Sequence, residues 1–321
     1  MTKSAIVDLQ SPLGHINLIN FYINNLRKDF DYVILNEKIK KYIENKNIIY
    51  FLYYGNFFLR FIYLLKVYNY LISKKVNKIL FLSYDLKIFF LISFLFRLKK
   101  VKIILIEHDT LNPKKKFYFF LNKLIDNLVI RLVYTKEKFN FVKKFFSNQV
   151  SIINHPIIKD NKKLNKLYSH KKIIFRNSKK IILIPSRFNI DFTNLYNFID
   201  NNKNILFVVL SKKIKILDNV IFIHNIRENI IKRVDAIYLP LDNSIYRYRV
   251  SSWIYKAIAY NKKIILDRGF TYNFEKKRFS NLIISSEEDI DFFLKKKILV
   301  KNKFIRNYNL RLISKMKKIL K

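Results

Sequence analysis

Short apolar runs alternate along the chain with longer segments of helical periodicity. Continuous apolar runs of about four to eight residues are typical of strands that are buried on both faces of a parallel sheet. Strands are predicted at residues 3–9, 32–35, 48–53, 78–83, 101–107, 128–134, 150–153, 180–184, 206–210, 220–224, 234–239, 263–266 and 282–284. The segments between them are predicted to be helices, and the helix after the last strand is expected to begin at an N-cap, Ser285 or Ser286. This alternation predicts an α/β fold with parallel sheets.

The predicted strands fall into two groups separated by a polar stretch. Residues 157–179 are rich in lysine and lack a long apolar period, so we interpret them as a linker. The chain of 321 residues is long enough for two domains of ordinary size. We therefore predict one domain at residues 1–156, a second at residues 180–302 and a basic terminal helix at residues 303–321.

Two predicted helices in the first domain, at residues 55–72 and 86–98, are apolar almost all round. Neither reaches the roughly 20 apolar residues that a helix needs to cross a bilayer, so no transmembrane helix is predicted. Two alternatives remain for these helices. They are either buried in a three-layer core or partly exposed in a membrane interface beside lysines.

The composition adds a strong positive charge. The chain has 63 Lys and Arg residues against 23 Asp and Glu residues, and 16% of its residues are aromatic. Such a composition can serve nucleic-acid binding through phosphate contacts and base stacking. However, the lysines are spread along the whole chain, and an A/T-biased genome favours lysine, asparagine, isoleucine, phenylalanine and tyrosine codons. We favour a generally basic surface that attracts anionic lipid, with no specific nucleic acid as a partner.

The sequence also bears on the compartment. It has no cysteine, which excludes disulfides and thiolate metal sites and fits a reducing environment. The first residues enter a predicted strand without the apolar core of a signal peptide. A cytoplasmic location is the resulting expectation.

Polar residues with anion-binding chemistry gather in the segment Val234–Leu266, which is predicted to form a strand, a loop, a helix and a second strand. Arg247, Arg249, Ser251 and Ser252 lie where the first strand ends and the helix begins. Ligands bind outside the carboxyl ends of parallel strands, and a helix N-terminus offers free N–H groups and partial positive charge. The pattern predicts a phosphate site, which Lys256 can reach from the next turn.

Across the same segment the chain carries Asp235, Ala236, Pro240, Ser251, Ser252, Ala257, Lys262, Ile264 and Ile265. With these residues the segment resembles the donor-binding segment of GT-B glycosyltransferases. The chain departs from the family pattern at Tyr248 and Lys256, where many members have glutamates, and at Ser252, where glycine is usual. The resemblance implies two Rossmann-like domains whose parallel sheets face a central cleft, with a terminal helix that crosses back toward the first domain.

Further site residues follow from the same resemblance. Arg187 matches the diphosphate-binding position after the first strand of the second domain, so it joins Arg247, Arg249, Ser251, Ser252 and Lys256 as a donor or phosphate ligand. His108, or Asp109 beside it, matches a position that faces the reacting sugar, and carboxylates flanking a histidine are expected to raise its basicity. Gly14 and His15 match the loop on the acceptor side.

The predicted activity is sugar transfer from a nucleotide-diphosphate donor. The pairs Asp29/Asp31 and Asp289/Asp291 have the spacing of a metal-binding D-x-D motif but not its position at a strand end, so a mechanism without metal or other cofactor is expected. A cell-envelope glycan or a lipid-linked sugar is the expected acceptor, because a basic, aromatic-rich first domain suits an anionic membrane. Two alternatives stay open: a GT-B relative without catalysis that serves as a partner subunit, and a basic nucleic-acid-binding protein.

Overall fold

The computed structural model describes residues 3–10, 15–43, 47–108, 116–146, 149–159, 180–185, 192–210, 217–223, 226, 228–241, 251–267 and 279–320. These residues form two compact units. The first unit holds the described residues up to Pro156 together with those from Asn309 onward, and the second holds those from Ile157 to Tyr308.

A parallel sheet forms the centre of the first unit. Its strands are β1 (Lys3–Asp8), β2 (Tyr32–Asn36), β3 (Ile49–Phe51), β4 (Val76–Ser83), β5 (Lys102–Ile106), β6 (Val129–Val133) and β7 (Val150–Ile152). Their order in the sheet is β3-β2-β1-β4-β5-β6-β7. The chain thus moves outward from β1 to β3 and then returns to the other side of β1 to form β4. This reversal is a topological switch point, beside which ligands bind in open α/β sheets.

Helices connect these strands on both faces of the sheet. They are α1 (Ile16–Leu26), α2 (Phe57–Ser73), α3 (Leu86–Leu98), α4 (Lys116–Leu124) and α5 (Lys136–Phe145). The side chains of Asn56, Asp85 and Thr135 cap α2, α3 and α5 by accepting a hydrogen bond from a backbone N–H of the first turn. Because crossovers between parallel strands are right-handed, α1 lies on one face and α2 to α5 lie on the other.

The two strongly apolar helices, α2 and α3, are buried on one side only. Leu64 and Leu71 of α2 and Phe89 of α3 belong to the core that covers the sheet. On their outer sides, Phe58 is 67% exposed and Leu98 is 77% exposed. Within the described parts of the chain, no helix combines the length and the hydropathy that crossing a bilayer requires.

The second unit repeats the architecture with a shorter sheet. Its strands are β8 (Ile181–Ile184), β9 (Leu206–Val209), β10 (Val220–Phe222), β11 (Ala236–Leu239), β12 (Lys263–Leu266) and β13 (Ile283–Ser285), and its order is β10-β9-β8-β11-β12-β13. The strand residues of β8, β11 and β12 are buried throughout, as is typical of a sheet covered on both faces. The switch point here lies between β8 and β11. Two parallel-sheet units with alternating helices confirm the predicted α/β class.

Two residues of the donor-like segment, Asp235 and Lys262, make hydrogen bonds at the end of the second sheet where its strands begin. The Asp235 carboxylate accepts a hydrogen bond from the Ile181 backbone N–H at 2.9 Å, and the Lys262 ammonium donates to the Val234 carbonyl at 2.8 Å. Both residues therefore fix where β8, β11 and β12 begin. Their match to the GT-B pattern has a structural explanation that is independent of any ligand.

The helices of the second part of the chain are α6 (Phe192–Asn201), α7 (Glu228–Arg233), α8 (Ser252–Ala259), α9 (Ile290–Lys295) and α10 (Asn302–Leu320). The predicted terminal helix is present as α10, and its residues from Asn309 onward belong to the first unit. There, Lys317 pairs with Asp29 at 2.9 Å, and the Lys78 ammonium donates to the Leu320 carbonyl at 2.6 Å. The predicted linker lies outside the described residues from residue 160 onward.

The predicted N-cap of α9 at Ser285 or Ser286 is wrong. The helix begins after Asp289, whose carboxylate accepts a hydrogen bond from the Phe292 backbone N–H at 2.9 Å. Ser285 is the last residue of β13, and its own N–H donates to the Glu288 carboxylate at 2.8 Å. A carboxylate caps a helix as well as a hydroxyl does, so the competing aspartate determined the start.

Candidate functional site

Imidazole and phenol side chains meet at the carboxyl edge of the first sheet. The members are His15, which directly precedes α1; Tyr22, on α1; His108, after β5; Tyr134, after β6; and His155, after β7. The His15 and His108 ring centroids are 5.3 Å apart, and the Tyr134 ring lies 5.5 Å from His108 and 5.2 Å from His155. The Tyr22 and Tyr134 hydroxyl oxygens are 3.0 Å apart. We refer to these five side chains as the histidine–tyrosine cluster.

Hydrogen bonds to the backbone fix the orientation of His108. Its Nε2 atom lies 2.9 Å from the Leu82 carbonyl oxygen. Since a carbonyl only accepts hydrogen bonds, Nε2 carries the hydrogen and Nδ1 of the neutral ring carries the lone pair. The Lys138 ammonium holds the backbone beneath the ring by donating to the His108 carbonyl at 2.6 Å and to the Glu107 carbonyl at 3.1 Å. His108 is thus a neutral, oriented group with its acceptor nitrogen fixed.

The two inner histidines of the cluster are neutral at physiological pH. Burial lowers the pKa of His108 to about 3, and repulsion by His15 adds to this effect. Burial likewise lowers the pKa of His155 to about 4, although its Nδ1 donates to the Pro156 carbonyl at 2.9 Å. Burial also raises the pKa of Tyr134 well above its ordinary value. His108, His155 and Tyr134 are therefore each held in the uncharged form.

The expectation that flanking carboxylates raise the basicity of His108 is wrong for Glu107, and the direction of that side chain explains why. The Glu107 carboxylate points into the core, where it accepts hydrogen bonds from Arg131 and, at 2.7 Å, from the Tyr84 hydroxyl. Arg131 is fully buried, donates to the Asn122 side chain at 3.0 Å and lies 3.7 Å from an Asp126 carboxylate oxygen. Glu107 thus belongs to a buried charged network beneath the cluster. Asp109, the other flanking carboxylate, lies outside the described residues.

The low histidine pKa values predict a specific pH dependence of stability. As the pH falls from about 6.5 toward 4, the unfolded chain takes up protons on His108 and His155 while the folded chain does not. The free energy of unfolding is therefore expected to fall by up to about 1.4 kcal/mol per pH unit for each histidine. Urea denaturation at several pH values in this range measures the slope. His155→Gln should reduce it, whereas an unchanged slope would contradict a buried neutral His155.

The second unit presents a helix N-terminus at the carboxyl edge of its sheet, as predicted for the donor-like segment. Ser251 is the N-cap residue of α8 and is buried, but its hydroxyl makes no capping hydrogen bond. Ser252 is exposed on the first turn. Lys256 places its ammonium 4.4 Å from the centroid of the Trp253 ring, a cation–π contact on the same helix. Ser252, Trp253 and Lys256 occupy the surface of α8 that is opposite its buried Ile254 and Ile258.

The structure brings some of the predicted site residues together. Ser251, Ser252 and Lys256 share α8, and His15 and His108 share the histidine–tyrosine cluster. The remaining predicted site residues, Gly14, Asp109, Arg187, Arg247 and Arg249, lie outside the described residues together with Tyr248, so their roles stay predictions.

Several polar residues of these edges were missed in the sequence. Tyr134, Lys138 and His155 belong to no motif of the predicted site. In the second unit, the buried Asp267 follows β12 and accepts a hydrogen bond from the Tyr238 hydroxyl at 2.5 Å. Tyr134 and Asp267 come directly after a strand and His155 follows β7 within three residues, which was the available signal, whereas Lys138 lies on α5 and has no such signal.

The described residues contain no group of three histidine or carboxylate side chains placed to hold a metal ion. Both D-x-D pairs contribute contacts to the fold. Asp31 accepts a hydrogen bond from the Ser4 backbone N–H at 2.8 Å, and Asp291 accepts one from Asn204 at 3.2 Å. The expectation of a metal-independent mechanism stays a prediction.

No protein-family model matches the chain, and no curated protein matches it. Solved structures do resemble it over nearly its whole length. A glycosyltransferase from Rickettsia africae superposes with a TM-score of 0.65 at 13% identity, covering 100% of this chain and 98% of that one. Anabaena HepE in complex with UDP and glucose gives 0.62 at 11% identity, covering 100% and 99%. UDP-GlcNAc 2-epimerase from Methanocaldococcus jannaschii gives 0.61 at 14% identity, covering 99% and 100%.

These likenesses define the class of fold. The chain has the two-domain, GT-B-like α/β architecture that glycosyltransferases and nucleotide-sugar epimerases share, which confirms the fold that the sequence resemblance implied.

Proposed function

We propose that this protein is a glycosyltransferase that moves a sugar from a nucleotide diphosphate, UDP in the first instance, to an acceptor hydroxyl. The observation that carries the proposal is the histidine–tyrosine cluster, because it presents an oriented neutral imidazole at the carboxyl edge of a Rossmann-like sheet. The GT-B-like fold supports it, and so do neighbours of that fold described in complex with UDP.

Residues of the second unit are proposed to bind the nucleotide-diphosphate donor. The N-terminal turn of α8 offers backbone N–H groups to a diphosphate, and Lys256 lies on the same exposed surface. Arg187, Arg247 and Arg249 are proposed to supply the remaining positive charge. When the bond between the anomeric carbon and the diphosphate breaks, these donors stabilise the departing anion electrostatically.

The acceptor end of the proposal rests on the first unit. The acceptor oxygen forms the new bond to the anomeric carbon, and its proton passes to Nδ1 of His108, the nitrogen that carries the lone pair. An anionic donor bound nearby raises the pKa of His108, since opposite charge stabilises the imidazolium. Its basicity is thus expected to develop with substrate bound. His15 and Gly14 are proposed to position the acceptor.

The proposed acceptor is a cell-envelope glycan or a lipid-linked sugar. Its support is the basic and aromatic surface of the first unit, which suits an anionic membrane. The proposed location is the cytoplasm, at the inner face of the cytoplasmic membrane.

Nucleotide binding is the most direct test. UDP and UDP-sugars should raise the melting temperature, because a ligand at about 100 times its Kd stabilises the folded state by about 2.7 kcal/mol. Arg247→Ala and Arg249→Ala should each weaken binding by about 10- to 100-fold, the cost of a hydrogen bond to a charged group of about 1.5–3 kcal/mol. Arg306→Ala, an exposed arginine on α10, is the matched control and should bind as the wild type does.

Two outcomes would contradict the proposal. If no nucleotide diphosphate stabilises the protein, or if both arginine variants retain full binding, the donor-site assignment is wrong. If mass spectrometry and NMR find a UDP-sugar epimerised with no acceptor and no transfer, the protein processes nucleotide sugars by a different reaction.

A further inference from the structure

The outer surfaces of three neighbouring helices in the first unit carry aligned apolar side chains. Exposed residues recur at spacings of three and four, so each set forms one stripe: Leu91, Phe94 and Leu98 on α3, and Phe117, Phe120 and Leu124 on α4. At the start of α2, Phe57 and Phe58 are exposed as well. We refer to these eight side chains as the apolar outer face.

The three helices lie side by side. The Tyr68 ring of α2 packs edge-on against Phe96 of α3 at 4.9 Å, and the Lys87 ammonium of α3 lies 5.8 Å from the Phe117 ring of α4. All three cover the same face of the sheet, so their exposed sides form one surface. Proteins that work alone in water seldom expose contiguous apolar patches this rich in large side chains, and such a patch marks a binding surface.

The charges on these helices are of one sign. Basic residues occur on each helix, at Arg60, Lys66, Lys87, Arg97, Lys116 and Lys123, whereas no Asp or Glu occurs within α2, α3 or α4. Several of the lysines lie along aromatic rings: Lys66 lies over Tyr63, and Lys123 lies over Phe119. In these contacts the ammonium itself lies over the ring, a cation–π arrangement that places basic and aromatic groups side by side.

A surface that combines exposed apolar side chains with basic residues fits one class of partner best. A second copy of this chain would oppose basic residues to basic residues, which repel across an interface. Single-stranded nucleic acid binds in grooves where aromatic rings stack on bases, but this surface is built of helix faces with aliphatic leucines in each stripe. A bilayer with anionic headgroups accepts both components, because apolar side chains enter the acyl boundary and basic heads pair with phosphate.

We propose that the apolar outer face of α2, α3 and α4 docks on a membrane surface that contains anionic phospholipid. The aromatic and leucine side chains enter the interface, and the basic residues lie among the headgroups, except Arg60, which pairs with Asp85 at 3.3 Å. This docking does not depend on the proposed sugar transfer.

Co-sedimentation with vesicles tests the apolar component. We expect the protein to sediment with vesicles of phosphatidylcholine and phosphatidylglycerol, and much less with phosphatidylcholine alone. The variant Phe94→Ser/Leu98→Ser/Phe120→Ser should bind at least about tenfold more weakly, because it removes interfacial contacts from two helices. The control Phe292→Ser/Leu299→Ser/Leu310→Ser changes side chains of similar exposure, 58, 81 and 54% against 42, 77 and 56%, and should bind normally. Thermal unfolding of each variant verifies that it folds.

A charge-matched pair tests the electrostatic component. Lys87→Gln/Lys116→Gln/Lys123→Gln should weaken binding to anionic vesicles far more than Lys296→Gln/Lys297→Gln/Lys301→Gln, although both remove three exposed charges. Equal effects would overturn the proposal, since binding would then follow net charge alone. It would also be overturned if the serine variant bound vesicles normally, if that variant instead changed the sedimentation coefficient of an oligomer, or if it abolished oligonucleotide binding.

Discussion

His108→Ala is expected to lower kcat for sugar transfer by about 100- to 10 000-fold, the usual contribution of a positioned general base. The reason is that Nδ1 of His108 is the oriented lone pair at the carboxyl edge of the first sheet, and its Nε2 is already engaged by the Leu82 carbonyl. The Kd for UDP should stay unchanged, because the proposed donor contacts lie on α8 and the arginines. Steady-state kinetics combined with calorimetric titration of UDP separate the two quantities.

Asp109→Asn is the companion variant, since Asp109 is the alternative base in the same loop. A large loss of kcat in Asp109→Asn with normal activity in His108→Ala would transfer the role to the carboxylate. If both variants kept normal activity, neither His108 nor Asp109 would take part in the reaction. Urea denaturation of His108→Ala shows whether any loss comes from unfolding instead.

Arg131→Met is expected to destabilise the first unit by about 3–5 kcal/mol. The substitution leaves the carboxylates of Glu107 and Asp126 buried without the guanidinium that compensates them. Such a loss is a large fraction of the total stability of a domain, so the variant should unfold at much lower urea concentration. Circular dichroism at increasing urea concentration measures the midpoint and the slope.

A double variant and a surface control sharpen this test. Arg131→Met/Glu107→Gln should recover part of the loss, because it removes one of the two carboxylates that the loss of Arg131 leaves uncompensated. Lys232→Ala breaks an exposed pair with Glu228 of the same helix and should change stability by less than about 1 kcal/mol. A loss of similar size in Arg131→Met and Lys232→Ala would show that the buried network is unimportant.

The architecture could be predicted from the sequence because strands buried on both faces leave a strong local signal. Segments such as Ile181–Ile184 and Lys263–Leu266 are apolar enough to be recognised without knowledge of their neighbours. The start of α9 could not be predicted, since serine and aspartate compete for the N-cap on nearly equal terms. Two hydrogen bonds decide between the candidates. The Ser285 N–H donates to the Glu288 carboxylate, and the Asp289 carboxylate accepts from the Phe292 N–H and so caps the helix.

The candidate site was less predictable because it depends on strand order. His15 and His155 are separated by nearly the whole first domain, yet both approach Tyr134 or His108 because their strands end at the same edge. Side chains of successive strand residues point to opposite sides. At the end of β5, Glu107 therefore faces the core, and the next residue, His108, faces the carboxyl edge of the sheet. Glu107, the sequence neighbour of His108, is therefore a partner of Arg131 and does not raise the pKa of His108, which burial lowers.

The pairing of α10 with the first unit has a consequence for the order in which that unit is completed during synthesis. Leu312 and Met316 of α10 are buried, and Lys317 and Leu320 contact Asp29 and Lys78. Domains generally begin to fold from the N-terminus while the ribosome is still at work. Here the first unit must wait with part of its apolar surface uncovered until residues 309–320 have been made. Its maturation on the ribosome thus follows, rather than precedes, translation of the entire second unit.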